Sequence, residues 1–418
     1  MLGAEYGSES DANGVCLRNI AEELVRQGHY VYVISESDRK ICESEHLIYI
    51  GVKPSWFKTY LNSHNNQSGI HKIILWIITA IRRIAVTPFY PNVSPIRSLK
   101  IMKLADGIVE RYGINLVLGS FRPFESIYTC VRLKKKWESK ICVVTYHMDL
   151  LMSPNTQSRS IKNYQKRKAR QSILREAKFV DALFVPPNSE YKGFLISEKI
   201  KKTDFPSLNL LTQKKLNSFN YDRKYINIAY IGSLDESNRN PMRVLSYINQ
   251  INKEHSERPI RLHFWGNIDC KTKELLNKYS FVVYHGSVDN CYVIDLLTRA
   301  DALLNISNKN TPEMIPSKIF QMFVTGRPIL NYVQSKKDVS IKYFEEYGNT
   351  YFLDLDAKDG SDLYQFLLHP IDSISIGWRM ASKATPQFFV EELFNQIRTH
   401  GEFCKSERNA TIRNEEME

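Results

Sequence analysis

Hydrophobic residues along the chain follow two alternating patterns: short apolar, β-branched runs and longer segments with a helical repeat. In the first half these patterns predict strands at 30–35, 115–119, 142–146 and 182–185, and helices at 15–27 and 96–112. In the second half they predict strands at 227–231, 261–265, 281–284, 302–306 and 328–332, and helices at 241–254, 271–278, 292–298 and 317–325. This alternation is typical of parallel sheets, so we expect an α/β protein with two Rossmann-like domains in series.

The same patterns predict the domain boundaries. We expect a first domain at 1–205, a linker at 206–224, where periodicity is lost, and a second domain at 225–385. A closing helix is expected within 386–404, and the polar tail at 405–418 is expected to be disordered. Because only Met1 and Leu2 precede Gly3, we expect the first strand to be clipped or the true start to lie upstream; without those residues the first sheet would lose a central strand.

Composition narrows the class of protein. With 418 residues, 43% of them hydrophobic and 24% charged, the chain can bury two cores and is too apolar to be disordered. Its seven cysteines contain no C-x-x-C pair, so neither a disulfide framework nor a zinc site is indicated, and a reducing compartment fits. The chain shows no signal-peptide pattern and no apolar run long enough to cross a membrane. We therefore expect a cytoplasmic protein.

Positive charge is concentrated in the first half. Residues 1–205 hold 31 Lys and Arg against 19 Asp and Glu, whereas the remainder holds 26 of each. Residues 46–105 contain no acidic residue, and the segment 70–86, IHKIILWIITAIRRIAV, predicts a helix with a basic stripe and a wide apolar face. Such a helix can lie on an anionic membrane surface, or it can pack on its own core. The expected membrane contacts are Trp56, Phe57, Lys72, Trp76, Arg82 and Arg83.

Nucleic acid is a weaker interpretation of this charge. The basic stretches at 132–136 (RLKKK) and 159–170 could meet a phosphate backbone, but no recognised nucleic-acid module accompanies them. We interpret 159–170 as a solvated helix face and expect no nucleic-acid partner.

Candidate chemistry is concentrated in the second half. Gly232 and Ser233 follow one predicted strand, Gly266 follows the next, and Gly286 follows a third. These loops fall at the carboxyl edge of a parallel sheet, where ligands of open α/β folds bind. Backbone N–H groups and a helix N-terminus at this edge could receive a diphosphate.

The segment EMIPSKIFQMFVTGRPIL, at 313–330, gives the strongest signal. Ser317 is a suitable N-cap for a helix that starts there, and Lys318 falls in its first turn. A cation in that position opposes the helix dipole unless an anion binds nearby, which points to a phosphate. The alternative is an exposed surface lysine.

Three stretches together resemble bacterial glycosyltransferases of family 4. They are NGVCLRNIAEELVRQGHYVYVIS, then GSFRPFES with TYHMDLL, and finally the set IGSLDESNRNP, HGSV, DLLTRADALLNIS and PSKIFQMFVTGRPIL. The resemblance implies the GT-B fold, with two facing Rossmann-like domains whose sheets are parallel. It also implies transfer of a sugar from a nucleotide-sugar with retention of configuration, needing neither cofactor nor metal.

The resemblance also implies roles for particular residues. The family motif E-x7-E, which holds the donor, here reads Glu313-x7-Gln321, so an amide replaces the second acid. Arg239 and Lys318 would neutralise the diphosphate, while Ser233 stands where many members have a second Arg. The full set expected at the donor is Gly14, Gly232, Ser233, Arg239, Gly266, Gly286, Ser317, Lys318 and Gln321, with His147 and Glu313 as catalytic residues and Arg122 and Glu125 at the acceptor.

Two motifs allow both a functional and a structural interpretation. His147 follows a predicted strand and could act near the reacting sugar, with Asp149 as its partner, or it could be a satisfied core histidine. The D-x-D at 354–356 could suggest a metal motif, but it ends a short strand and is assigned a structural or solvated role.

The sequence therefore predicts a transferase peripheral to the inner face of the cell membrane. Its acceptor would be a lipid-linked glycan or a polysaccharide of a bacterial surface-glycan pathway. Two alternatives remain open: a sugar-nucleotide epimerase of the same fold, and a non-catalytic paralogue that binds a sugar-nucleotide or a membrane.

Overall fold

The computed structural model describes residues 1–3, 12–36, 41–53, 60, 70–91, 94–121, 124–148, 159–187, 199–353, 361–371 and 373–400. The chain divides into two compact units, Met1–Pro206 with Pro386–Glu418, and Ser207–Thr385. Each unit contains one sheet of predominantly parallel strands with flanking helices, so the α/β class expected from the alternating pattern is confirmed.

The first unit contains an eight-stranded sheet in the order β3-β4-β2-β1-β5-β6-β7-β8. Its strands are β1 (Leu2–Gly3), β2 (Val31–Glu36), β3 (Ile41–Ser44), β4 (Leu47–Val52), β5 (Leu116–Phe121), β6 (Cys142–His147), β7 (Ala182–Val185) and β8 (Ile200–Lys202). Every neighbouring pair is parallel except β3 and β4. Leu2 pairs with Ile34 of β2 and with Gly119 of β5, so β1 is a central strand of only two residues.

The first unit also contains six described helices. They are α1 (Ala12–Arg26), α2 (Ile70–Val86), α3 (Pro95–Tyr112), α4 (Phe124–Trp137), α5 (Arg159–Phe179) and, from the end of the chain, α13 (Pro386–His400). The last helix packs on α1 and β7, and its Phe389 and Val390 are buried with the side chains of those elements. The final helix therefore completes the core of the first unit.

The second unit contains a six-stranded, fully parallel sheet in the order β11-β10-β9-β12-β13-β14. Its strands are β9 (Ile226–Ile231), β10 (Ile260–Trp265), β11 (Val282–Tyr284), β12 (Ala302–Ile306), β13 (Ile329–Tyr332) and β14 (Thr350–Leu353). Its helices are α6 (Met242–Glu254), α7 (Cys270–Leu276), α8 (Val293–Arg299), α9 (Lys318–Phe323), α10 (Ile341–Tyr347), α11 (Ser361–Leu368) and α12 (Ile374–Ser382). The central strands are almost wholly buried, which explains their continuous apolar runs.

The segment expected to be a linker packs on the second unit. Leu208 is fully buried there, and the backbone N–H of Leu216 donates to Asp295 Oδ2 at 2.9 Å. Arg299 donates to the carbonyl oxygen of Phe219 at 2.6 Å. These contacts are made across a long sequence separation, so local periodicity could not reveal them.

Helix α2 does not pack as a core helix. None of its described side chains is buried, and Ile73, Trp76 and Ile81 are 61%, 72% and 62% exposed. Within the part of the chain that the structure describes, no helix is long and apolar enough to cross a membrane. The helix predicted at 70–86 therefore forms, and its described apolar side chains are exposed or half-buried.

Candidate functional site

Three loops at the carboxyl edge of the second sheet are joined by backbone hydrogen bonds. The N–H of Gly232, after β9, donates to Trp265 O at 2.8 Å, and the N–H of Gly266, after β10, donates to Gly286 O at 2.8 Å. The structure thus brings together the three loops that the sequence singled out. The same bonds occupy the amide hydrogens of Gly232 and Gly266, so these two groups are not available to a diphosphate as the sequence suggested.

Gly266 is required by its backbone and by its surroundings. Its φ is +125°, and a Cβ built on it would lie 2.2 Å from the carbonyl oxygen of Gly232. Gly286 also has a positive φ, +80°, but a Cβ there would meet no atom within 4 Å. The close approach of the first two loops therefore depends on Gly266 in particular.

Arg239 is held by side chains from two loops. Its Nε donates to Asn308 Oδ1 at 2.8 Å, and its Nη1 donates to Ser233 Oγ at 3.2 Å. Asn308 follows β12, the strand next to β9. The turn before Arg239 is fixed by Asp235, whose Oδ1 accepts the backbone N–H of Asn238 at 2.7 Å. Both partners of the guanidinium are uncharged, so its positive charge stays available for an anion.

Lys318 brings a second cation to this edge. Its Nζ donates to the carbonyl oxygen of Ile231 at 3.2 Å and lies 2.9 Å from the position that a Cβ on Gly232 would take. Burial, and then the charge of Arg239, lowers the pKa of Lys318 to about 8. The alternative of an exposed surface lysine is therefore wrong. Neither cation forms a salt bridge with a carboxylate of the described residues.

A small cavity lies beside the two cations. It measures about 30 Å³ and is lined by Arg239, Lys318, Gln321 and Tyr230, among others. A volume of about 10–15 Å³ already holds one water molecule, so this cavity has room for water and not for a diphosphate. A diphosphate would therefore bind outside the cavity, on the solvent side of the two cations.

We expect the affinity of the protein for a nucleoside diphosphate to fall as the pH rises above about 8. A bound anion stabilises the charged form of Lys318 and so raises its pKa above the value of the free protein, about 8. Below that pH the ammonium is already formed. Above it, binding must take up a proton, and the affinity falls by up to about tenfold per pH unit.

Calorimetric titration of UDP and GDP between pH 7 and pH 10 measures this dependence. The variant Lys318→Gln should bind more weakly and lose the pH dependence in this range. If the affinity of the variant still fell with rising pH, a group other than Lys318 would be responsible for the pH dependence.

The residues around α9 differ in part from expectation. Ser317 has φ −57° and makes no side-chain capping bond, and the helix after it has only six residues, so the expected N-cap is not formed. Gln321 is buried, and its Nε2 donates to Asn290 Oδ1 at 3.1 Å. Glu313 is half-buried in the loop between β12 and α9. The amide of Gln321 therefore faces the loop that contains Gly286.

The structure places three expected site residues of the first unit. Gly14 lies in the first turn of α1 rather than in a loop. His147 is fully buried, and its Nε2 lies 2.9 Å from Glu176 Oε1. This environment is that of a core histidine with a hydrogen-bond partner, the alternative to a catalytic role. Glu125 is 2% exposed in the first turn of α4, so its carboxylate is not presented to an acceptor.

Other residues that the sequence singled out lie outside the described residues. They are Arg122, Asp149, the D-x-D at 354–356, Trp56 and Phe57, together with the side chains of Lys72, Arg82 and Arg83. Within the described residues, no group of three or more His, Cys, Asp or Glu side chains could hold a metal ion.

Sequence reasoning missed the polar residues that position Arg239. Asn308 accepts from its Nε, and Gln334, after β13, donates to the carbonyl oxygens of Asn238 and Ser307 at 2.7 and 2.5 Å. A signal was present, because NISNKN places Asn308 directly after a strand at the carboxyl edge. Tyr230 was also missed; its hydroxyl donates to Ser233 O at 2.8 Å.

Comparisons with known proteins identify the fold. No family model matches the chain, and no curated protein matches it in sequence. A putative UDP-N-acetylglucosamine 2-epimerase from Listeria monocytogenes superposes with a TM-score of 0.58 at 10% identity, over 96% of each chain. A trehalose-6-phosphate synthase gives a TM-score of 0.58 at 11% identity, over 95% of this chain and 98% of the other.

A third neighbour is the glycosyltransferase SnogD from Streptomyces nogalater, with a TM-score of 0.52 at 12% identity, over 94% of this chain and 98% of the other. The match to S. aureus TarM is shorter: it covers 65% of this chain and only 58% of TarM. At these identities the likeness shows the fold. The chain has the α/β fold of GT-B glycosyltransferases, with two sheets of parallel strands.

Proposed function

We propose that this protein is a retaining glycosyltransferase that moves a sugar from a nucleotide-sugar to an acceptor. The observation that carries the proposal is the pair Arg239 and Lys318 at the carboxyl edge of the second sheet. Both cations are held by neutral oxygen atoms and are unpaired with any carboxylate of the described residues. Two uncompensated cations at this edge fit the diphosphate of a nucleotide-sugar.

The same pair can assist the chemistry. As the bond between the sugar and the diphosphate breaks, negative charge builds up on the leaving oxygen. Positive groups that are already oriented stabilise that charge without reorganising, and one such group is worth about 3 kcal/mol. In the family that the sequence resembles, the leaving phosphate takes the acceptor proton, so no protein base and no metal would be required.

Binding and turnover test the proposal. Thermal unfolding is measured with UDP, GDP, ADP and dTDP, because a bound ligand stabilises the protein by RT ln(1 + [L]/Kd). The sugar derivatives of the diphosphate that raises the Tm are then incubated with membrane-lipid extracts, and release of the diphosphate is followed. Stabilisation by one diphosphate, with release that depends on acceptor, is the expected result. Absence of stabilisation by all four would contradict the proposal.

An epimerase is the second candidate, because one of the structural neighbours with a TM-score of 0.58 is described as a putative UDP-N-acetylglucosamine 2-epimerase. Such an enzyme changes the sugar without an acceptor. Chromatography of the nucleotide-sugar after incubation with the protein alone separates the two: an epimerised nucleotide-sugar would replace the transferase proposal. Diphosphate binding without any product would indicate the non-catalytic paralogue.

We further propose that the acceptor is lipid-linked or a polysaccharide of a bacterial surface-glycan pathway, and that the first unit lies on an anionic membrane. Two observations support the membrane. Residues 46–105 contain no acidic residue, and α2 leaves all its described side chains unburied. A core helix would bury its apolar face, so this helix has apolar area free for the membrane interface.

Exposed side chains of α2 are expected to drive this binding. Replacing Trp76 or Ile81 by serine should weaken binding to vesicles of phosphatidylglycerol and phosphatidylcholine by about tenfold each, because each removes apolar area worth about 1.4 kcal/mol in the interface. Vesicle flotation measures the bound fraction. Trp378→Ser is the matched control, since Trp378 is 47% exposed on α12 of the second unit. Equal losses in control and test variants would argue against α2.

A further inference from the structure

Residues of helices α4 and α5 in the first unit line an open cleft of about 320 Å³ between the two helices. Its volume is at the lower end of the range of small-molecule sites, about 300–1,000 Å³. None of its residues belongs to the donor site. The basic stretch at 132–136, which the proposed function does not use, contributes to its wall.

Apolar side chains form the floor of the cleft. Phe124 and Ile127 are 7% and 0% exposed, and Tyr128 and Val131 are half-buried beside them on α4. Positions 124, 127, 128 and 131 fall on one side of a helix, because side chains three and four residues apart are neighbours. The floor therefore offers a continuous apolar strip along α4.

Three cations stand above this floor. Arg132 and Lys135 lie on α4, Arg175 lies on α5, and all three are exposed. Nε and Nη2 of Arg132 donate to the Tyr128 hydroxyl at 3.0 and 2.8 Å, which holds the guanidinium on the side of the cleft. Nζ of Lys135 lies 4.2 Å from the centre of the Phe179 ring. Within the described part of the chain, none of the three is paired with a carboxylate.

The one acidic residue that lines the cleft has a histidine on its buried side. Glu176 is 1% exposed, and its two carboxylate oxygens lie 2.9 and 3.1 Å from His147 Nε2. The carboxylate is thus bound to an imidazole on its buried side. The mouth of the cleft keeps an excess of positive charge over an apolar floor.

We propose that this cleft binds an amphiphile with a phosphate head and an aliphatic chain. The phosphate oxygens accept from Arg132, Lys135 and Arg175, since guanidinium groups match phosphate geometry. The hydroxyl of Ser172 lies among these groups and can donate as well. The aliphatic chain covers the strip of Phe124 and Val131. A free phosphate would leave that strip in water, and an uncharged lipid would leave three cations without an anion.

Calorimetric titration of the full chain tests the proposal, with octyl phosphate below its micelle concentration, inorganic phosphate and octanol as probes. We expect octyl phosphate to bind at least tenfold more tightly than either of the other two. The double variant Arg132→Gln/Arg175→Gln should lose at least tenfold in that affinity. Lys140→Gln/Lys178→Gln is the charge-matched control, because both lysines are exposed and lie outside the cleft.

Each outcome decides the matter. Unchanged binding in the Arg132→Gln/Arg175→Gln variant, or an equal loss in the control, would overturn the proposed site. Inorganic phosphate binding as tightly as octyl phosphate would overturn the role of the apolar floor, which Val131→Ser tests separately. Failure of octyl phosphate to bind would overturn the proposal altogether. Because the cleft shares no residue with the donor site, none of these results depends on the proposed glycosyltransferase activity.

Discussion

Replacing Arg239 by glutamine is expected to lower kcat/KM for the nucleotide-sugar by about 100- to 1,000-fold, equivalent to about 2.7–4 kcal/mol of transition-state stabilisation. The guanidinium is oriented in advance by Asn308 and Ser233, so under the proposed function it would meet the leaving diphosphate without rearrangement. Glutamine keeps a polar group but removes the positive charge. The measurement uses the nucleotide-sugar whose diphosphate stabilises the wild-type protein.

The control for this variant is Lys271→Gln. Lys271 is also positively charged and lies near the same turn, where it pairs with Glu236, but its side chain is 76% exposed. Its loss should leave kcat/KM within about twofold, because exposed ion pairs contribute little. Unfolding curves of both variants should match the wild type. A similar loss of rate in both variants would show that general charge, and not the position of Arg239, determines the rate.

Gly266→Ala is expected to destabilise the second unit by about 3 kcal/mol or more, the range of severe backbone strain. Alanine meets two obstacles there. The backbone has φ +125°, and the new Cβ would lie 2.2 Å from Gly232 O, a backbone atom that moves only if the loop moves. The displaced loop contains Ser233, which holds Arg239, so binding of a nucleoside diphosphate should weaken as well.

Gly286→Ala is a control of the same chemistry. Its φ is +80°, but the added methyl would meet nothing within 4 Å, so only backbone strain remains and about 1 kcal/mol is expected. Hydrogen exchange of the β9 and β10 amides in urea measures the free energy of unfolding of the second unit in both variants. Equal destabilisation by the two alanines would show that contact between the loops adds nothing.

The carboxyl edge of the second sheet could be predicted from the sequence because it is built from local signals. Each β-branched run is followed by a glycine or a polar turn, and strands in a parallel sheet all end at one edge. The order of residues along the chain is enough, under that rule, to place Gly232, Gly266 and Gly286 at the same edge. Lys318 was singled out because it falls in the first turn of the helix predicted at 317–325, and the resemblance to a known family pointed to Arg239.

Side-chain environments in the first unit could not be predicted in this way. His147 stands at the end of β6, as expected, but its partner Glu176 comes from α5, 29 residues later. The strand end gave the position of the histidine, but the packing of a helix decided that it is buried. The same limit explains Glu125 and Ser317, whose burial and backbone angles depend on neighbours that are remote in sequence.

By itself the sequence determined the two α/β units, the order of most strands along the chain, the loops at the carboxyl edge of the second sheet and the concentration of positive charge in the first half. These features depend on the spacing of residue types, which the chain carries locally. Only the tertiary structure decided that Lys318 reaches Ile231 O, that α2 leaves its described apolar side chains unburied, and that α4 and α5 form a cationic cleft. Such features depend on which surfaces meet, and contacts between distant segments set that.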